Sequence, residues 1–404
     1  MKTRVGSHKL RYAALILFIG VAYFVWCLLK PLPALQPESV NSIIEAKTAP
    51  SALAWPSSQA AVSVVGTDII ETNQPSKPVP TASTAKIITA LMVLNKKPLK
   101  IGEQGPIITL GPNDVDIYKK YVAQDGSVVP VLAGEQISEY KALQTVMLPS
   151  ANNMADSLAI WSYGSLDAYV EAANEYLNQQ GLSGSHVGSD ASGLAANSTS
   201  TATDLAKLGS LAMQNSVLAQ IVGQSTATGI PIVGTIKNVN DLIGINGIIG
   251  VKTGNSNEAG GAFVSASKSA VNNKSVTITT AVVNAPSLFA SMKDSLPLIK
   301  SAQTNFSVVK VASKNQVAGK YNLPWGGSVD AISAKDLSLS SWNGSTVKAS
   351  TTLQEIPANS TSGSPTGKLT IRKSALNDTK SVPLVLKNTP AQPSLWWRLT
   401  HPIN

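Results

Sequence analysis

The chain has 404 residues, a formal net charge of +9, one cysteine and three histidines. That length allows two domains. The single cysteine excludes a disulfide framework, and only His186 lies centrally enough to serve a Ser-His-Asp triad. No His/Cys cluster has metal-ligand spacing, no glycine-rich phosphate loop opens a helix, and no Lys/Arg run is interleaved with aromatics. No metal, cofactor or nucleic acid is therefore expected.

Lys2, Arg4, Lys9 and Arg11 precede a mostly apolar run, residues 12–29, that is long enough to cross a bilayer as a helix. Trp26-Cys27-Leu28-Leu29-Lys30-Pro31 follows where a cleaved signal would carry a small-x-small site, so an uncleaved signal anchor is expected over residues 1–30. Positive charges ahead of the span keep the N-terminus cytoplasmic and place the rest outside the membrane. Trp26 disfavours lipidation of Cys27, which reads as a membrane-facing apolar residue. Residues 31–50, with Pro31, Pro33 and Pro37 and then polar residues, read as a tether.

Residues 60–70 alternate like a strand, and 84–94 form a helical apolar pattern shortly after Pro80. Helices are expected over 140–147 and 151–161, separated at Leu148-Pro149-Ser150. Two more follow over 166–180 and 203–213, the latter with Asp204 in its first turn, where the helix dipole favours a carboxylate. Strands are expected over 248–252, 261–267 and 275–284, and the turns between them are too short for parallel crossovers, so they form an antiparallel meander. A helix over 288–302 closes a first domain of mixed helices and strands spanning 51–303. Short strand-like runs with a Ser/Thr/Gly/Pro loop at 357–367 make 304–390 a small all-β domain. A short tail, 391–404, carries Trp396 and Trp397, aromatics suited to a membrane interface.

Three motifs lie in order within this frame: Ser83-Thr84-Ala85-Lys86, Ser150-Ala151-Asn152 and Lys252-Thr253-Gly254. With histidine and cysteine chemistry set aside, a nucleophilic serine must use a lysine as its base. Ser83 and Lys86, three apart on a helix, share a face, and free N–H groups at the helix start favour an alkoxide or oxyanion there. Lys86 accepts a proton only if its pKa falls by about three units from ~10.4. Burial and a second ammonium both act in that direction, and Lys252 is the natural second charge. Ser150 and Asn152, at a break between helices, supply a hydroxyl and an amide for proton relay and for holding a substrate carbonyl or amide. Lys252 brings positive charge, Thr253 a hydroxyl donor, and Gly254 close approach for a ligand backbone lying along a strand edge.

These residues resemble the low-molecular-mass penicillin-binding proteins of the D-alanyl-D-alanine carboxypeptidase type. The resemblance rests on Pro80 to Lys86, Met147 to Ala155, Asp190-Ala191-Ser192-Gly193-Leu194 with 200–205, and Gly250 to Gly254 with Ala259-Gly260. It implies an α/β fold of the β-lactamase/transpeptidase type, an antiparallel sheet flanked by helices plus an all-helical region. It also implies Ser83 as nucleophile, Lys86 as its base, Ser150 and Asn152 as relay and positioning groups, and Lys252 with Thr253 as the carboxylate-binding strand. The oxyanion hole would be the backbone N–H groups of Ser83 and Asn255. The implied partners are a peptidoglycan stem peptide ending in D-Ala-D-Ala and β-lactam antibiotics. Two departures stand out: Asn255 occupies a position often held by a ring-bearing residue, and no basic residue lies in 284–291, where an arginine often holds the terminal carboxylate. A β-lactamase, drawing on Glu171 or Glu175, and a catalytically silent wall-binding protein are the alternatives.

Overall fold

A computed structural model describes residues 5–38, 43–75, 77–272 and 274–402, so Lys2 and Arg4 lie outside the described residues. The chain divides into two compact units, residues 50–306 and residues 1–49 with 307–404.

The first unit is built on a five-stranded antiparallel sheet. Its spatial order is Ile248–Ser256, Gly260–Val271, Lys274–Ala285, Gln59–Val64 and Ile70–Thr72. The expected meander is thus present, with each strand longer than its sequence signal. The single strand expected over 60–70 is instead a hairpin. Gly66, at φ 76°, reverses the chain between its two arms, where a residue with a Cβ would be strained. Both sheet faces are covered. Val264, Ala266, Ala281 and Val283 join the main apolar core together with residues of the helix Ala202–Gln214. The helix Leu288–Gln303 packs on the same central strands while contributing nothing to that core, which puts it on the opposite face.

The helix Lys86–Lys96 runs through the middle of the helical region. Every residue from Lys86 to Leu94 is buried, the pattern of a helix enclosed on all sides. Around it lie the helices Glu139–Met147, Asn152–Tyr163, Leu166–Gln179 and Ala202–Gln214, close to the positions expected. Sequence periodicity did not disclose the helix Pro112–Ala123, which is largely polar. Pro112 starts it, and the Asp114 carboxylate accepts the Gly111 N–H at 2.7 Å.

The second unit is β-rich, as expected, but its chain boundaries differ. Its six-stranded antiparallel sheet runs Ile43–Lys47, Thr346–Leu353, Pro365–Lys373, Ser381–Leu386, Ser328–Ser333 and Val317–Asn322. The first of these strands comes from the segment expected to be a tether. That expectation fails because the segment has an apolar side to bury: Leu35 is fully buried and exchanges backbone hydrogen bonds with Ile356, and Ile44 and Ala46 point into the core while Glu45 pairs with Lys348 at 2.6 Å. An added strand also satisfies an otherwise open sheet edge. The loop expected over 357–367 ends earlier, since Pro365, Thr366 and Gly367 belong to a strand.

Within this unit the N-terminal helix Val5–Leu29 contains a 22-residue stretch, His8–Leu29, long and apolar enough to cross a membrane. Most of its apolar side chains are exposed, but Cys27 is fully buried rather than lipid-facing, because the C-terminal helix Leu395–Thr400 packs against the last turns.

Candidate active site

Ser83 lies in a single 3-10 turn, Ala82–Ala85, that runs directly into the helix starting at Lys86. The Thr84 hydroxyl donates to the Thr81 carbonyl at 2.6 Å and tightens that turn. Ser83 is half-buried while its neighbours are buried, so its hydroxyl is the accessible group on the turn.

The Lys86 Nζ is fully buried and lies 2.8 Å from Ser83 Oγ, 2.6 Å from Asn152 Oδ1 and 2.9 Å from the Ser192 carbonyl. Two of these partners, an amide oxygen and a backbone carbonyl, only accept. A neutral amine gives them its two hydrogens and has its lone pair left for the Ser83 hydroxyl proton. Burial, and after it the Lys252 charge, holds the Lys86 pKa well below the usual lysine range, while Asp190 and Asp156 pull the other way. Geometry and proton affinity thus both suit this amine to accepting a proton.

Asn152 opens the helix Asn152–Tyr163, and its backbone N–H is fixed by the Ser127 carbonyl at 2.7 Å. Ser150, two residues earlier, is buried with a left-handed backbone at φ 68°. Its hydroxyl makes no hydrogen bond to another described residue, so the expected relay contact is not formed in this geometry.

Lys252, Thr253 and Gly254 lie on the edge strand of the five-stranded sheet, opposite Val264, Phe263 and Ala262. Lys252 is buried, donates to the Thr253 carbonyl at 3.1 Å, and has its pKa lowered to about 7 by burial. A Cβ on Gly254 would stand 3.1 Å from the Thr81 carbonyl oxygen and from the Thr84 nitrogen. Glycine at that position lets the Lys252 strand lie directly against the Ser83 turn. Asn255, next along, is exposed at the strand's end.

Other residues complete the site. Asp190 accepts from the Ser192 N–H at 2.8 Å, the Gly193 N–H at 2.6 Å and the Ala195 N–H at 2.7 Å, and so holds the loop whose Ser192 carbonyl meets Lys86. The fully buried Asp156 accepts from the Ala191 N–H at 2.9 Å and the Tyr121 hydroxyl at 2.8 Å, and burial raises its pKa to about 6. The signals for both were present. Asp followed by Ser and Gly marks a side-chain-closed turn, and Asp156 stands one helical turn beyond Asn152 on the same face.

Other candidates stay apart. His186 is exposed, its backbone paired with Thr199, and no triad forms. Glu171 and Glu175 are exposed on the helix Leu166–Gln179 and offer no buried base for water activation.

A sequence model of the D-alanyl-D-alanine carboxypeptidase family matches residues 48–287, a stretch holding all three motifs. The chain belongs to this family. It is accordingly a serine-type hydrolase. A search of curated protein sequences finds no match. Among solved structures, penicillin-binding protein 5 from Haemophilus influenzae is 20% identical with a TM-score of 0.58, over 84% of this chain and 98% of that one. A peptidoglycan synthesis regulatory factor from Streptococcus pneumoniae is 18% identical with a TM-score of 0.57, over 84% and 100%. These two share the fold. A Streptomyces DD-transpeptidase is 27% identical with a TM-score of 0.52, over 63% and 98%.

Proposed function

We propose that this carboxypeptidase-family protein is a membrane-anchored enzyme that removes the terminal D-alanine from peptidoglycan stem peptides through an acyl-enzyme on Ser83. The reading rests chiefly on the Lys86 amine, dehydrated, low in proton affinity and 2.8 Å from Ser83 Oγ. Ser83 Oγ attacks the carbonyl carbon between the two D-alanines and passes its proton to Lys86 Nζ. The backbone N–H groups of Ser83 and Asn255 take the developing oxyanion. Collapse breaks the C–N bond, and the proton returns from Lys86 to the departing amine, with Ser150 entering the relay only once bound substrate draws its hydroxyl into contact and Asn152 holding the substrate amide. Lys252 and Thr253 hold the substrate's terminal carboxylate, and Lys252 in that state is the charged form. Water then hydrolyses the ester, so one hard step becomes two easier ones. β-Lactams acylate the same serine because their ring amide is attacked likewise, and the ester is slow to hydrolyse because the opened ring stays attached to it. The His8–Leu29 stretch is the anchor, with the catalytic unit on the extracytoplasmic side.

Intact-protein mass spectrometry of the full chain in detergent after exposure to benzylpenicillin tests this. One drug mass on the wild type and none on Ser83→Ala is expected. An unmodified wild type, or an adduct that survives Ser83→Ala, overturns the assignment.

A further inference from the structure

The end of the N-terminal helix is clasped by the far end of the chain. The Arg398 guanidinium donates to the Leu28 carbonyl at 2.9 Å, the Lys30 ammonium donates to the His401 carbonyl, and the Tyr23 hydroxyl donates to the Leu399 carbonyl at 2.7 Å. Trp397 stacks on His401 at 4.7 Å between ring centres and meets Trp325 edge-on at 5.6 Å, and the Trp325 indole N–H donates to the Ala391 carbonyl at 2.6 Å. These contacts fix the C-terminal helix at one depth, beside the last turn of the span. Its outward face leaves Leu395 and Trp396 60% and 74% exposed, and Trp26 on the N-terminal helix is 50% exposed. Apolar and indole surface left bare beside cations at the end of an apolar span is the composition of a headgroup-level collar.

A cavity of about 780 Å³ opens at the same level. Leu28, Leu29 and Leu32 give it an apolar wall, Lys30 and Arg398 line it as cations, and Glu355 is the one carboxylate on its rim among the described residues. Each cation spends a single N–H on the carbonyl it caps, which leaves further donors for an anion. We propose that this cavity seats the phosphate of a membrane glycerophospholipid, its oxygens on Lys30 and Arg398 and its first acyl carbons along the leucine wall. The proposal rests on the N-terminal helix spanning a membrane. Two cations against one carboxylate favour an anionic headgroup, and a phosphodiester accepts charge-assisted bonds from both.

The test is native mass spectrometry of the full chain released from nanodiscs of phosphatidylcholine and phosphatidylglycerol. Wild type is expected to retain phosphatidylglycerol. The double variant Lys30→Gln/Arg398→Gln should lose retention by roughly tenfold, the worth of about one charge-assisted bond. Glu355→Gln should raise it. Benzylpenicillin labelling of all three proteins reports that the catalytic unit is folded. Equal retention in the double variant, or no retained lipid in a protein that resists carbonate extraction, overturns the site alone. Release by carbonate overturns the membrane span and the site with it.

Discussion

Gly193→Ala separates the role of the 190–195 loop from general stability. Gly193 has φ +77°, and a Cβ there would stand 2.2 Å from the Ala82 carbonyl oxygen and 2.6 Å from the Ala85 Cβ, both on the turn that carries Ser83. The left-handed backbone costs an alanine about 1–2 kcal/mol, and overpacking against a buried turn adds about 1–3 kcal/mol. Together these give roughly 2–5 kcal/mol, or a melting shift of about 4–20 °C for a unit of this size. The loop can relieve the clash only by moving away from the turn, and that takes the Ser192 carbonyl off Lys86. Displacement of about 1 Å at a reacting group can lower rates ~100-fold. Gly234→Ala is the control, since Gly234 has φ +70° and nothing within 4 Å of its Cβ position. Differential scanning calorimetry and the second-order rate of acylation by a fluorescent penicillin are the measurements. If Gly193→Ala matches Gly234→Ala in both, the loop does not hold Lys86 and the argument fails.

Lys86→Met should lower the acylation rate by about 10²–10⁴-fold, the usual worth of a general base, with the fold kept; an unchanged rate removes Lys86 from that role. Lys252 has a folded-state pKa near 7 against ~10.4 when unfolded. Between these values the unfolded chain binds more protons, so stability rises with pH across that window and is lost as pH falls toward 7. Thermal melts of Lys252→Met at pH 7 and 10 should show a shallower rise than wild type, and an equal rise counts against a buried, proton-poor Lys252. Glu139 has both carboxylate oxygens buried without a partner, and burial raises its pKa to about 7. Its ionisation penalty grows as pH climbs from the ordinary carboxylate range to 7, so Glu139→Gln should stabilise the protein by about 1–3 kcal/mol at pH 8.5 and not at pH 4. Chemical denaturation at the two pH values checks this, and a gain at both, or at neither, refutes it.

How far the sequence discloses this protein depends on whether a signal is local. Ser83 with Lys86, Asn152 after Pro149, and Lys252-Thr253-Gly254 before a strand meander each sit in short segments whose pattern states their backbone, and the structure brings all of them to one place. Residues 31–50 read as a tether from sequence alone because their strand exists only against a partner about 300 residues away: Ile43 pairs with Ser350, and nothing within the segment itself demands a sheet. The helix Pro112–Ala123 was missed because it buries just Ile117 and Tyr121, too few apolar residues for a periodic signal. Asp190 and Asp156 carry ordinary local signals, and their importance emerges only where the fold closes the Ser192 loop over Lys86.

Those two carboxylates make the proton affinity of Lys86 a balance of influences rather than a result of burial alone. Desolvation and the Lys252 charge both push Lys86 toward neutrality, and Asp190 and Asp156 oppose them. Either carboxylate in direct contact with Nζ would form an ion pair and keep the amine protonated. The fold prevents that by occupying their oxygens elsewhere, Asp190 with the N–H groups of its own loop and Asp156 with the Ala191 N–H and Tyr121. What reaches Lys86 is instead a carbonyl and an amide oxygen, which orient an amine without fixing a proton on it. In the proposed mechanism the carboxylates act at a remove, stabilising the cation that forms when Ser83 gives up its proton. Tyr121→Phe follows from this: it takes one hydrogen bond from Asp156, leaves that carboxylate more basic, and should slow acylation by less than removal of Lys86 while shifting the acidic limb of its pH profile. A Tyr121→Phe enzyme whose pH profile superimposes on wild type would show that Asp156 has no electrostatic hold on the base.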